Sequence, residues 1–341
     1  MNVNRRHLLC ATASSLLLPR FALAQQNQTI VGTWGGDFGD TLRSGVDAAL
    51  MKPRGIEVIQ DIGAPTQRRT KLMAERQSRR GSMDVACLAD FDMYAAGQAG
   101  ALEAITGANV PRSALILPFL RSKFSIAHIY SAHVIVYNTD FVKTPPKSFA
   151  DLWDPKYKGK VGLSDFLFTT NTVVAAVVGG GSPTNIAPAQ AKLAELRNLD
   201  AKVLPSTEAV AAALKSGEIW FTIIAAARAY MWRKAGIPVD RVVPTEGGFP
   251  TLYEAGVPKN ARNKANGLAY LNAMLEPAAQ TAFAEKLGYL PTVSDARITP
   301  ELNARIGFTE AERARMLKID YAYLAQNQVQ MLDFWTKTLK S

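Results

Sequence analysis

Three short apolar runs, over residues 29–34, 56–62 and 83–89, are separated by stretches with helical spacing, and this alternation constrains the fold more than any other feature of the chain. Strands separated by helices cannot pair as hairpins. The crossovers make neighbouring strands parallel and lay the helices on the faces of the sheet. A helix beginning near Asp37 sets Phe38, Leu42, Val46 and Leu50 on one side, and a second covers 66–79. In an open α/β sheet the loops that follow the strands gather at one edge and line a crevice. Here they read WGGD over 34–37, DIGAPT over 61–66 and ADFD over 89–92.

The first of these loops offers three uses. Gly35 and Gly36 stop the strand and leave backbone amides at a helix start, where an anion can bind. Asp37 could instead hold an ammonium group, or cap the helix.

After Pro118 the pattern changes. Residues 125–138 read as a pair of short strands that carry the chain out of the first lobe. His128 and His133 fall within them, and packing or turn roles suit their spacing better than metal ligation. A second α/β set follows: a strand over 161–164, a helix over 172–178 stopped by three glycines at 179–181, and helices over 187–199 and 208–215. The run 219–227 is apolar almost without interruption, which suits a strand covered on both faces. It ends at Arg228. A desolvated guanidinium needs either a carboxylate partner or an anionic ligand, and the residues alone leave both open. Helices over 265–275 and 277–287 and an amphipathic helix over 312–339 complete the chain.

At 341 residues the chain is long enough for two lobes, each with its own core. Its beginning reads as an export leader: Arg5-Arg6, an apolar run over 8–18, and Ala22-Leu23-Ala24 before a cut near Gln25. NRRHLL resembles a twin-arginine signal, and a Sec signal with two arginines reads the same way. The net charge of +10 falls to +7 without Arg5, Arg6 and Arg20. That excess is dispersed, with doublets at 68–69 and 79–80, so it describes a solvated basic surface and not a nucleic-acid site. Cys87 alone would remain after cleavage, inside a strand, where a lone cysteine packs as a small apolar group.

Several segments in order, FADLWDPKYKGKVGLSD over 149–165, GEIW over 217–220, AGIPVDRVVPTEGG over 235–248, then VPKNARNK and LGYLPT, resemble the spermidine/putrescine-binding branch of the periplasmic solute-binding proteins of ABC importers. The resemblance implies a type II periplasmic-binding-protein fold: two α/β lobes, each a mixed, mainly parallel sheet flanked by helices, with a ligand cleft at the hinge. It places lobe I in 25–132 and 249–296, lobe II in 138–244, and C-terminal helices over 297–341 across both. A periplasmic monomer is expected, receiving a small solute and delivering it to an inner-membrane ABC permease, with no cofactor, metal, nucleic acid or catalysis. Consistent with this, the chain has no GxSxG, HExxH or CxxC pattern.

The polyamine-holding residues of that branch carry over only in part. Trp34 stands at the first-strand aromatic position, and Asp37, Asp90 and Asp92 keep carboxylates near the rim of lobe I. Where the branch has acids after the second-lobe Leu-Ser-Asp, this chain has Phe166 and Thr169. Ala225 stands near a branch tryptophan, and Thr251 and Tyr253 align with a tryptophan and an aspartate. Arg228 is new. Polyamines need charge-assisted acceptors and aromatic faces. The expected solute is therefore a small polar molecule with a carboxylate or phosphonate, and a polyamine is the alternative.

Overall fold

The computed structural model describes residues 27–340; the leader expected over 1–24 lies outside the described residues. The first strands form where the apolar runs place them, as β1 (Gln28–Thr33), β2 (Glu57–Ile62) and β3 (Val85–Ala89). β1 pairs in parallel with both neighbours, as the crossovers through α1 (Gly36–Leu42) and α2 (Pro65–Glu75) require. α1 runs on as a π-helical stretch, Arg43–Met51. Phe38, Leu42, Val46 and Leu50, spaced four apart, stay on one side through both windings. Leu42 and Val46 are fully buried, and Phe38 and Leu50 pack against the same cluster.

Residues 125–138 are not two short strands. They form a single strand, β4 (Ile126–Asn138), whose sequence contains no glycine or proline at which to turn. Later in the chain, β5 (Gly162–Ser164) pairs in parallel with β6 (Lys202–Leu204). The first half of β4 lies antiparallel to β9 (Phe249–Gly256) and β10 (Leu290–Pro291). Its second half lies antiparallel to β7 (Phe221–Ala225) and β8 (Val239–Val242). One sheet therefore runs β10-β4-β9-β3-β1-β2, with β7 and β8 joined to the far end of β4. Separate cores lie to either side of mid-β4. Val31, Leu42, Val85, Ile126 and Phe283 belong to one, and Phe149, Leu163, Val173, Leu193 and Phe221 to the other.

Both histidines of β4 are packing groups. The irregular register between Ala127 and Ile129 lodges His128 between Phe38 and Phe283, at centroid distances of 5.9 and 4.5 Å. Burial lowers its pKa to about 3, so it is neutral. His133, at mid-strand, stacks on Phe249 and is hydrogen-bonded to Thr170 at 3.0 Å. Cys87 is 1% exposed, and burial pushes its thiol up to about 12.

Helices α3 (Asp90–Gln98), α4 (Phe168–Val178), α5 (Ala189–Asn198) and α6 (Thr207–Ser216) follow the strands. The strand expected over 219–227 is shorter than its apolar run: β7 ends at Ala225 and α7 (Ala226–Lys234) begins at the next residue. Three alanines at 225–227 favour helix over extended backbone. Arg228 therefore lies in the first turn of a helix and not at the end of a strand. α8 (Lys264–Met274) and α9 (Pro277–Leu287) divide at Pro277, which sits at the helix start.

The helix expected over 312–339 is broken. After α10 (Pro300–Ile306) come a short α11 (Glu310–Ala314), then α12 (Tyr321–Phe334) and a π-helical end, Trp335–Leu339. The break is pinned to the turn at 246–248. Leu317 donates its amide to Gly248 at 2.9 Å, and Arg315 donates to the carbonyls of Val243 and Pro244. Gly247 has φ +99°, and a side chain there would meet the Arg315 carbonyl oxygen at 1.7 Å, so glycine is required. Leu324, Met331 and Trp335 bury α12 in the second core. Tyr321, at its start, reaches α3 instead, donating to Asp90 at 2.9 Å and stacking on Tyr94.

Candidate functional site

The crevice forms where β1 gives out. Trp34 follows the strand directly, and Gly36, at φ +58°, has nothing within 4 Å of the side chain it lacks. Trp34 is partly exposed and meets Phe38 and Tyr253 edge to face, at 4.8 and 5.1 Å. Tyr253 continues the wall to Tyr289, with ring centroids at 5.3 Å and the hydroxyls 3.5 Å apart. Strand alternation places Thr251 on the same face of β9 as Tyr253, opposite Ser131 and 6% exposed.

Arg228 enters this wall from α7. Among the described residues its one side-chain hydrogen bond is weak, Nη1 to the Met231 sulfur at 3.7 Å. Among the described residues no carboxylate lies within 4.0 Å of it. The ion pair left open by the sequence is therefore not made. Burial depresses its pKa, but the combined fields of Tyr289, Tyr253, Glu208 and Asp37 outweigh burial and hold it above the ordinary value. The same interactions bring Arg228 together with Asp37 and Tyr253, and add Tyr289 and Glu208. A cation in the first turn of a helix also faces the positive end of the macrodipole, and both favour an anion nearby.

The acids are distributed unequally. Asp90 is occupied in structure: its carboxylate accepts from the amides of Phe91 (2.7 Å) and Leu252 (3.1 Å) and from the Tyr321 hydroxyl. Burial nevertheless raises its pKa to about 6. Asp92 is paired with Arg69 at 2.9 Å. Asp37 does not cap α1, whose N-cap is Gly35 with no side-chain bond. Its carboxylate is exposed and has no hydrogen-bond partner among the described residues, so it remains available.

Among the described residues no ring contact or hydrogen bond joins Phe166 or Thr169 to the aromatic wall. Phe166 is 56% exposed on a turn whose neighbour, Asp165, is bonded to Trp335 and Lys340. Thr169 occupies the first turn of α4, beside the Thr170 that binds His133. Sequence reasoning did not select Tyr289, Glu208 or Arg68. Tyr289 sits within LGYLPT, where motif order was read but not side-chain direction. Arg68 was counted with Arg69 as solvated surface, yet it is 4% exposed. Its position four residues before Leu72, on the buried side of α2, was the available signal.

Two α/β lobes sharing crossing strands, with an aromatic and charged cleft where the strands give out, define the class of two-lobed binding proteins. Within that class the chain belongs to the family of bacterial extracellular solute-binding proteins, which matches residues 47–310. It is 27% identical over 322 residues to the spermidine/putrescine-binding periplasmic protein of Escherichia coli K12, covering 90% of each chain. An ABC transporter substrate-binding protein from Bradyrhizobium japonicum superposes with a TM-score of 0.77 at 21% identity, over 90% of this chain and 99% of that one. A periplasmic binding protein of Agrobacterium tumefaciens R10 in complex with agropinic acid gives 0.75 at 19%, over 92% and 99%. By that family the protein is an extracellular solute-binding protein.

Proposed function

We propose that the solute carries a carboxylate or phosphonate that docks on Arg228, with the aromatic wall of Trp34, Tyr253 and Tyr289 beside it. One observation carries this reading: a largely buried guanidinium, in the field of two phenols, that has no carboxylate within 4.0 Å among the described residues. Such a group is costly in the empty cleft and becomes an anchor when an anion arrives. Asp37 and Glu208 provide acceptors for an amine on the same solute. The lobes are 25–132 with 249–296 and 138–244, with 297–341 across both. Closure follows from contacts that both lobes make with one ligand. The receptor works as a monomer, hands its solute to the permease and performs no chemistry on it.

The polyamine reading rests on the naming of the Escherichia coli relative and on the free carboxylate of Asp37. A thermal-shift screen of the mature protein against polyamines, amino acids, organic acids and phosphonates separates the two. Acids or phosphonates are expected to stabilise it, by about 2.7 kcal/mol at 100 times Kd, and Arg228→Ala to abolish that shift. Micromolar calorimetric binding of putrescine or spermidine, with no heat from acids, would instead establish the polyamine reading.

A further inference from the structure

Arg68 is a second arginine of the crevice with no carboxylate within 4.0 Å among the described residues. It is 4% exposed and lies at the strand ends of the first lobe. Its Nε donates to the Cys87 carbonyl at 2.6 Å, and its Nη1 donates to the carbonyls of Thr33 at 2.7 Å and Gly63 at 3.0 Å. The Thr33 and Gly63 carbonyls stand at or just beyond the ends of β1 and β2, and the Cys87 carbonyl lies in the middle of β3. Nη2 is buried without a partner. The stem lies against Gly32, where a side chain would come within 2.8 Å of the Arg68 Cδ, so the groove is shaped for it. The guanidinium carbon lies 4.5 Å from the centre of the Trp34 ring. Carbonyl dipoles compensate the charge but do not cancel it. The nearest acids are already paired, Asp61 with Lys71 at 2.8 Å and Asp92 with Arg69.

A tryptophan at a ligand cleft can receive a cation on its ring face. Here a protein cation already occupies a face of Trp34, and its uncancelled charge lies directly behind the wall that solutes meet. Arg228, whose charge interacts with Tyr253, is the second guanidinium acting on this wall. We propose that Arg68 is a specificity-determining residue of the cleft: seated against the buried face of Trp34, its charge weakens the hold of the ring's other face on a cation and turns polycations away. This rests on the assignment of the solute to the cleft of Trp34 and Arg228, and it adds a charge-sorting element on the opposite side of the wall.

The test uses a four-carbon series of changing charge, putrescine, 4-aminobutanoate and succinate, titrated into the full mature protein and its variants. Arg68→Gln removes the charge and keeps an amide donor for the backbone carbonyls, whereas Arg68→Lys keeps the charge and loses the fork. Arg68→Gln is expected to bind putrescine on the order of tenfold more tightly than wild type, and Arg68→Lys to gain nothing. Equal gains in both variants, or none in Arg68→Gln, would overturn the proposal. Arg228→Ala provides an arm that does not depend on the folding of Arg68→Gln. With Arg68 intact it should still refuse putrescine, and tight putrescine binding there removes Arg68 from the sorting. Persistence of acid binding in Arg228→Ala would refute the anion anchor alone, because the Arg68 comparison is made on putrescine.

Discussion

The junctions β3–α3 and β7–α7 share one construction, a buried strand that becomes a helix with no residue between, and they use charge in opposite ways. The first puts Asp90 and Asp92 in the opening turn of α3. Those negative charges suit the helix end, and both are spent on amides, a hydroxyl and Arg69. The second puts Arg228 in the opening turn of α7, where the helix end repels it and no carboxylate answers it. A charge that agrees with its local field and has its hydrogen bonds filled is part of the scaffold. A charge that opposes its helix end and makes no ion pair among the described residues is held in readiness for a ligand.

The sharpest way to break this contrast is to remove each charge and measure stability without ligand. Asp90→Ala strips acceptors from the Leu252 amide and the Tyr321 hydroxyl, and should cost about 3 to 5 kcal/mol in denaturant unfolding, as expected for breaking a buried charged network. Arg228→Ala should change ligand-free stability by less than about 0.5 kcal/mol, or raise it, because the side chain opposes the macrodipole. A large loss in the second variant, or none in the first, would reverse the assignments.

Those two junctions also show how far the sequence could be read. Strand and helix alternation and the family were visible because each depends on local pattern. Asp90 and Asp92 were expected at the ligand because they stand at the strand end, and so they do. Whether they face solute depends on Tyr321, more than 200 positions away, and on the pairing of β9 with β3, neither of which leaves a local signal. Arg68 was hidden for the converse reason. A basic doublet reads as surface, and only the packing of α2 over β1 and β3 turns one member inward and leaves the other to Asp92. The pair of strands expected over 125–138 is one long β4, tied at its middle to α7 by the Ser131 hydroxyl, which accepts from the Ala227 amide.

A smaller effect sharpens the contrast through pH. Glu254, on β9 beside the Asp90 network, receives a hydrogen bond from Ser125, and burial raises its pKa to about 8. Its folded value lies above its unfolded one, so the stability it contributes is complete below the unfolded value and is lost as pH rises towards 8. Asp90 adds the same trend up to about 6. The neutral histidines act oppositely, but only below their ordinary value of 6.5. Between pH 6.5 and 8 the slope is therefore left to Glu254, at most about 1.4 kcal/mol per pH unit. Unfolding curves across that window should flatten in Glu254→Gln; an unchanged slope would assign the titration elsewhere.

The smallest expected change isolates the link between the C-terminal helix and the β3–α3 junction. Tyr321→Phe keeps the ring that stacks on Tyr94 at 5.7 Å and deletes only the hydroxyl bonded to Asp90. Because α12 is buried in the second core from Leu324 onward, the bulk of its packing is untouched. The cost should be about 0.5 to 1.5 kcal/mol, the worth of one hydrogen bond. The effect should be local, appearing as faster amide exchange at the start of α12, with the centre of β4 unchanged. The bond to Tyr321 lowers the pKa of Asp90 against the effect of burial. Its loss should therefore move that titration upward from about 6, whereas Arg228→Ala should leave it in place. If both variants moved it alike, the two junctions would share one electrostatic site, and the division between scaffold charge and ligand charge would fail.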